Sequence, residues 1–290
     1  MAPCFSTLDP YRVRDGLDIF VVPDFAKTFL GFDAKALQND LEDGRYPVRA
    51  GGDEITRGEV QWVEGDNVAL RYRGNTLKRG KIWLQRDDPF NHGFLRYYYT
   101  GWQWKVLPAT ADVAKCPEVK KVTDAYDKWV DSLGGGIISR ANHYIITHYQ
   151  DQNHSIGMHF DKPRDIAEGS LITVIKTGSH ARPFSLAMLN DDAPFFSEPL
   201  QPGTAVIMTL EANLQTKHGV PALDYECGSS GSIVLRTITK RVSTEELDKE
   251  LRKKGNEAKK KADREERDKA NNGKWRAIGK RAFDELSSES

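Results

Sequence analysis

The chain has 290 residues, enough to bury a sizeable core as one large or two small domains. Lys plus Arg and Asp plus Glu both number 42, so the formal net charge is zero; no global basic field argues for nucleic acid, although a local patch stays open. Three cysteines without paired spacing (Cys4, Cys116, Cys227) argue against a disulfide framework or a Cys-rich zinc site, and fit a reducing compartment.

Taken in chain order, Ile19-Phe20-Val21-Val22 reads as a strand, and Asp33 to Leu41 as a short helix with Asp33 as N-cap. Val60 to Val63 and Val68 to Tyr72 read as strands around a turn at Gly65-Asp66-Asn67. Lys115 to Leu133 reads as a helix, because Val119, Val122, Tyr126, Trp129 and Val130 recur at helical spacing; Gly134-Gly135-Gly136 ends it. Strands follow at Tyr144 to Tyr149, Ser155 to Phe160 and Leu171 to Ile175. The last is almost continuously apolar and is expected to be buried on both faces. Pro183 to Leu189, Ala205 to Leu210 and Ser232 to Thr239 complete the series. Several short strands with turns between them suggest a double-sheet jelly roll.

Beyond about Val242 the composition shifts. Ser243 to Ser290 is dense in charge, with sparse apolar residues (Leu247, Leu251, Trp275, Ile278, Phe283, Leu286). Ser243 and Thr244 before Glu246 resemble a capped helix start. The expected state is a solvated helix with i,i+4 charge pairs or a partly disordered tail. Lys259-Lys260-Lys261 and Lys280-Arg281 leave a nucleic-acid-contacting tail as the alternative. The expected organisation is an N-terminal extension at 1–110, a core at 111–242 and a charged tail at 243–290. The overall class is α+β and mainly β, with helices flanking the jelly roll. Neither a signal peptide nor an apolar run of roughly 18 residues is visible. An intracellular monomer, cytoplasmic or nuclear, with no membrane partner is expected.

The most informative motif is His159-Phe160-Asp161, followed much later by His218. Two histidines and one carboxylate on one face are the ligand set of a non-haem Fe(II) oxygenase, which leaves positions open for a co-substrate and O₂. Residues i and i+2 of a strand share a face, so His159 and Asp161 reach one metal if Ile156 to Asp161 is extended. An H-x-D alone occurs often by chance. His218-Gly219-Val220-Pro221, just after the strand-like run Gly203 to Met208, raises its weight.

Tyr149, His159, Asp161, His218 and Arg236 occur in an order and spacing that resembles AlkB-like Fe(II)/2-oxoglutarate dioxygenases. The resemblance runs from about Asp87 to Ile238. It includes Tyr98-Tyr99-Thr100-Gly101, Asn142 to Tyr149, Ser155 to Asp161, Ser179 to Phe184 and His218 to Pro221. It implies a double-stranded β-helix that uses Fe(II), 2-oxoglutarate and O₂ to hydroxylate a C–H bond. It implies His159, Asp161 and His218 as iron ligands, Arg236 as a partner of a co-substrate carboxylate and Tyr149 as a donor to the same molecule.

Three positions depart from the family's pattern. Ser230 stands where the family has arginine, and Thr147 where it has asparagine, both at expected co-substrate contacts. A hydroxyl cannot replace a guanidinium opposite a buried carboxylate. Lys176 and Arg182 are the nearest candidate cations, although Lys176 taken alone reads as a solvated hairpin charge. Lys162-Pro163-Arg164 stands where alkylation-repair members carry acidic base-reading residues. Lys162 could instead face a phosphate or an acidic substrate.

Arg71, Arg73, Lys78 and Arg79 interleave with aromatics before the core, where the relatives carry a substrate-recognition lid. Tyr98 and Tyr99, with Tyr97, Trp102 and Trp104, either stack a flipped base or belong to a core strand. His143, His148 and His154 crowd the metal strand as structural groups or supports of the ligands. The resemblance implies a modified nucleobase in DNA or RNA as substrate. Neutral charge and the missing acidic residues favour the same chemistry on a small molecule or a protein side chain. A catalytically silent binding module is the third reading, which the intact triad opposes.

Overall fold

The structure is a computed structural model. It describes residues 5–35, 37, 48–50, 62–64, 71–72, 75–76, 79–86, 94–98, 106–108, 111–134, 140–242 and 264. All of the expected tail helix except Arg264 lies outside the described residues. The chain divides into two compact units, Met1–Arg241 and Val242–Ser290.

In the first unit the early strands are β1 (Ile19–Val22), β2 (Val48–Ala50), β3 (Trp62–Glu64), β4 (Arg71–Tyr72), β5 (Asn75–Thr76), β6 (Gly80–Gln85), β7 (Phe94–Tyr98), β8 (Val106–Pro108) and β9 (Ala111–Asp112). The later ones are β10 (His143–Tyr149), β11 (Ile156–His159), β12 (Leu171–Gly178), β13 (Arg182–Met188), β14 (Phe196–Leu200), β15 (Ala205–Thr209), β16 (Thr216–Val220) and β17 (Ser230–Arg236). Helices are α1 (Phe25–Leu30), α2 (Pro117–Ser132) and α3 (Leu210–Gln215).

Strands β10 to β17 form the jelly roll. One sheet runs β15-β12-β17-β10 and the other β11-β16-β13-β14. Every neighbouring pair in these two runs is antiparallel. First and last strands, β10 and β17, lie side by side, and successive strands alternate between the sheets except at the β13–β14 hairpin, which stays within the second sheet; the pattern is that of a jelly roll. The first sheet continues outward through β1 on one edge and β6, β3 and β2 on the other, which covers edges that would otherwise expose unpaired backbone.

Burial explains the patterning. All eight residues of β12 are buried, as its continuous apolar run requires. Ile82, Leu84, Tyr144, Ile146, Ile175, Ile207, Ile233 and Leu235 face α1 and α2, where they meet Phe25, Val119, Val122, Tyr126 and Trp129. The alternate residues Ile172, Val174, Val206 and Met208 face the second sheet and pack with Phe184, Leu186 and Val220. The larger sheet is thus covered on both sides, and the site lies on the face toward the second sheet.

Helix α2 follows its predicted face, with Pro117 at its first turn in place of the expected Lys115 start. Ala34, Lys35 and Leu37 are helical, and the Asp33 carboxylate accepts from Lys35 N at 2.8 Å as a cap should. Helices α1 and α3 have six residues each, too few to show a helical period in sequence. No helix among the described residues is long and apolar enough to cross a membrane.

The Tyr126 hydroxyl and Thr173 Oγ1, 2.8 Å apart, tie α2 to β12 inside the core. Burial pushes the Tyr126 phenol above its ordinary range, so it stays neutral. Tyr126→Phe leaves Thr173 without this partner and should cost about 1–2 kcal/mol. Urea unfolding of the variant against the parent measures it.

Candidate active site

Strands β11 and β16 carry the two histidines. They pair at Ile156↔Val220 and His159↔His218, so three steps on β11 oppose two on β16. This bulge re-aims the end of β11 and sets His159 opposite His218, with ring centroids 4.5 Å apart. Gly219 permits the close approach: a Cβ there would lie 2.9 Å from Ile156 O and from Met158 Sδ. Asp161 follows two residues after the strand ends. One ligand atom from each of His159, Asp161 and His218 falls within 4.8 Å of the others.

Each ligand is fixed by a neighbour. His159 Nδ1–H donates to Gly157 O at 2.9 Å, which leaves Nε2 as the free lone pair. Phe184 stacks on the His218 ring with centroids 5.8 Å apart. Asn213 on α3, fully buried, clamps the Asp161 backbone: its Oδ1 accepts from Asp161 N at 2.9 Å and its Nδ2 donates to Asp161 O at 2.8 Å. Arg236 Nη1 donates to Asp161 Oδ2 at 2.9 Å, and Arg236 Nε donates to His143 Nδ1 at 3.2 Å. His143 therefore stands behind the arginine that stands behind the ligand.

The protonation states suit a divalent cation. Burial, then the neighbouring His218, pushes the His159 imidazole down to about 3, and burial lowers His218 too. Both rings are neutral and able to ligate at neutral pH. Burial pushes the Asp161 carboxyl up, but Arg236 and the two imidazoles outweigh it and hold the group at about 2. Two neutral imidazoles and one carboxylate on adjacent strand ends fit an oxygen- and nitrogen-liking metal such as Fe(II).

The pocket in front of the triad is lined by Lys81, Thr147, Tyr149, Lys176, Ser232 and Arg236 over an apolar wall that includes Ile145, Val174, Phe184 and Val234. Five of the sequence candidates around the triad thus gather or fail to gather as follows. Tyr149, Thr147, Lys176 and Arg236 line the pocket; Arg182 does not. The Arg182 guanidinium donates to the carbonyls of Asp151 at 2.8 Å, Gln152 at 3.2 Å and His154, so it staples the loop ahead of β11.

The reading of Lys176 as a solvated hairpin charge is overturned. The residue is 1 % exposed, and its Nζ has no hydrogen-bond partner among the described residues. Its hairpin begins only beyond Gly178, so position 176 sits inside the sheet on the pocket face. Burial, then Arg182, lowers its amine to about 7. The Lys176 ammonium lies 5.4 Å from the Tyr149 ring centroid. Tyr149 is itself pushed up to about 12 by burial and remains a neutral phenol.

Ser230 is fully buried, with no hydrogen-bond partner for its hydroxyl among the described residues, and pairs with Gly178 and Tyr149. Gly178 has φ +98°, and a Cβ there would lie 2.6 Å from Ser230 Cα. Ser232, two residues on, pairs with Lys176, so Lys176 lies on the diagonal from Ser230. The amine thus comes from β12, diagonal to Ser230 on β17.

Among the candidate substrate residues, Arg79 is buried and donates through Nη1 to Ser155 O at 2.8 Å. Lys162 Nζ lies 4.0 Å from the Phe160 ring centroid. The side chains of Arg71, Arg73, Lys78, Tyr98 and Tyr99 lie outside the described residues. Sequence reasoning missed Asn213, which has no motif of its own; it named Lys81 only as part of the basic and aromatic run Leu77 to Trp83 that could serve the substrate, not as a neighbour of the triad.

No protein-family model and no curated protein sequence matches the chain. Among solved structures it is similar to the crystal structure of an oxidoreductase of the 2OG-Fe(II) oxygenase family from Burkholderia pseudomallei. The TM-score is 0.45 and the identity 13 %, over 78 % of this chain and 89 % of that one.

Asn213→Ala should lower divalent-metal affinity by about 10–100-fold, since it frees the backbone that carries Asp161. Competition against a chromophoric chelator measures this, with far-UV circular dichroism as the control for folding.

Proposed function

We propose that the protein is an Fe(II)/2-oxoglutarate-dependent dioxygenase. The observation that carries this reading is the buried, unpartnered Lys176 ammonium in the same pocket as the His159, Asp161 and His218 group. An unpaired buried cation is costly, and an anionic ligand relieves it. A metal site and a carboxylate-seeking cation in one small pocket are what a 2-oxo dicarboxylate needs.

Fe(II) with 2-oxoglutarate and O₂ would supply the oxidation, in which decarboxylation to succinate is coupled to hydroxylation of a substrate C–H bond. His159, Asp161 and His218 would hold the metal. Lys176 would neutralise the remote carboxylate, a task that Ser230 cannot perform. Tyr149, as a neutral phenol, would donate to the same molecule, with Thr147 beside it. Arg236 would keep Asp161 ionised and aligned. The apolar wall of Ile145, Val174 and Val234 would restrict water at the reacting atoms.

For the primary substrate we favour a modified nucleobase in DNA or RNA, oxidised as in the AlkB-like proteins that the motifs resemble. That part rests on resemblance alone. One observation favours a small molecule or a protein side chain instead: Arg79 already serves a backbone carbonyl of its own chain. Oligonucleotide binding that weakens steeply with salt would support the first reading. Salt-insensitive or absent binding would support the second.

Anaerobic titration of the Fe(II)-loaded protein with 2-oxoglutarate should give a visible absorption band that saturates, followed by succinate release on admission of O₂. Iron binding without a band overturns the proposal. His218→Ala and Asp161→Ala should each abolish succinate release while the fold persists. The pH dependence follows from Lys176. Its amine is charged below about 7 and must regain a proton to bind a carboxylate above that value. Affinity for 2-oxoglutarate should therefore fall toward about tenfold per pH unit above neutrality. Titrations on both sides of neutrality, in two buffers of different ionisation enthalpy, would register the proton uptake.

A further inference from the structure

One cross-strand row on the pocket face runs through four strands. Lys81 on β6 pairs with Thr147 on β10, Thr147 with Ser232 on β17, and Ser232 with Lys176 on β12. All four residues line the pocket, and all four are buried. The row reads Lys–Thr–Ser–Lys, with a side-chain amine at each end and two hydroxyls between. Three inter-strand steps separate the end Cα atoms by about 14 Å. Two flexible four-carbon stems are long enough to bridge that gap down to the scale of a short dicarboxylate.

The charge balance of the pocket is one-sided. Lys81, Lys176 and Arg236 line it, and Asp161 is the one carboxylate among its described lining residues. Asp161 already accepts from Arg236. The two lysines also occupy different electrical neighbourhoods. Arg79, two residues before Lys81, donates to Ser155 O at 2.8 Å just ahead of the strand that carries His159, and Lys81 is near enough to lower both imidazoles. Burial, then Arg79 and Arg236, holds the Lys81 amine itself well below its ordinary value, with Asp161 opposing them. The titratable neighbours of Lys176 are Arg182 and Cys227, neither of them in the His159, Asp161 and His218 group. Lys81 is therefore at the metal end of the row and Lys176 at the remote end.

We infer that Lys81 is a second co-substrate-holding residue, which grips the carboxylate next to the metal while Lys176 grips the remote one. The inference rests on the dicarboxylate reading above and extends it to a strand outside the eight-stranded jelly roll. Residue 81 belongs to the N-terminal half of the chain. That half is then part of the binding site, and not only a cover for a sheet edge.

The test uses the full chain loaded with Mn(II), so that binding is read without turnover. Calorimetric titration is run with 2-oxoglutarate and with pyruvate, a 2-oxo acid that lacks the remote carboxylate. Parent protein, Lys81→Met, Lys81→Gln and Lys176→Met are compared, with thermal midpoints as the folding control. Lys176→Met should weaken 2-oxoglutarate by at least about tenfold and leave pyruvate unchanged. Lys81→Met should weaken both ligands by the same factor, about tenfold or more. Lys81→Gln should do the same and keeps the test open if the methionine variant does not fold. Both ligands binding Lys81→Met and Lys81→Gln as tightly as the parent would overturn the inference. So would a loss confined to 2-oxoglutarate, which would move Lys81 to the remote carboxylate, or a loss seen only with an anionic primary substrate. If the Mn(II)-loaded parent binds neither 2-oxo acid, the dioxygenase reading itself fails, and that result is distinct from a failure of Lys81 alone.

Discussion

The Asp161 carboxylate is a buried negative charge, and much of the site is arranged to keep it there. Burial alone would favour the neutral acid, which would bind a metal poorly. Arg236 reverses that preference from 2.9 Å away on a strand of the opposite sheet. The arginine is in turn oriented by His143, its direct partner in the β10–β17 register. Asn213 fixes the backbone of Asp161 from α3. One carboxylate thus connects both sheets and the short helix between β15 and β16. A pair of this kind is weak evidence for net stability, because desolvation offsets much of the attraction. Its effect is on geometry: Arg236 and Asn213 together hold Asp161 in one orientation.

The jelly roll supplies the frame for this arrangement. Its second sheet brings β11 beside β16, which sets two histidines side by side at adjacent strand ends. Its first sheet turns alternate residues of β10, β12 and β17 toward them. Apolar residues of that face lie in the row Ile145–Val234–Val174, and polar ones in the row that contains Thr147, Ser232 and Lys176. A one-residue slip of any of these strands would carry its polar member to the helical face and bury it among Ile146, Ile175 and Ile233. Register is therefore what keeps the cations in the pocket.

The same geometry accounts for Ser230. On the proposed reading a dicarboxylate needs a cation at the remote end of the pocket, and the neighbourhood of Ser230 can receive one from either β12 or β17. Here the β12 side chain at position 176 reaches it, and the β17 position needs no length. Ser230 lies against Gly178, whose missing side chain leaves room for the hairpin to turn. Arg182, next along the hairpin, is turned to the carbonyls of the 151–154 loop, so it stabilises the approach to β11 without entering the pocket.

The chain's local chemistry determined what could be read in advance. The apolar run of β12 announced a strand covered on both faces, and the helical spacing of Val119, Val122, Tyr126 and Trp129 announced the face of α2. Both patterns depend on nearest neighbours in sequence. His159, Asp161 and His218 were legible for the same reason, since two sit on one strand end and the third has its own short motif. What required tertiary structure was every relation between strands. Lys176 looks like a hairpin charge in sequence because the turn formers Gly178 and Ser179 follow closely; only the pairing with Ser232 inside the sheet and the pocket lining show that it faces the pocket. Lys81 lies 66 residues from Thr147, its partner in the row, and Asn213 lies 52 residues from Asp161. No local period links such pairs. Backbone pairing and burial bring them together, and these are properties of the closed sheets, not of any one segment.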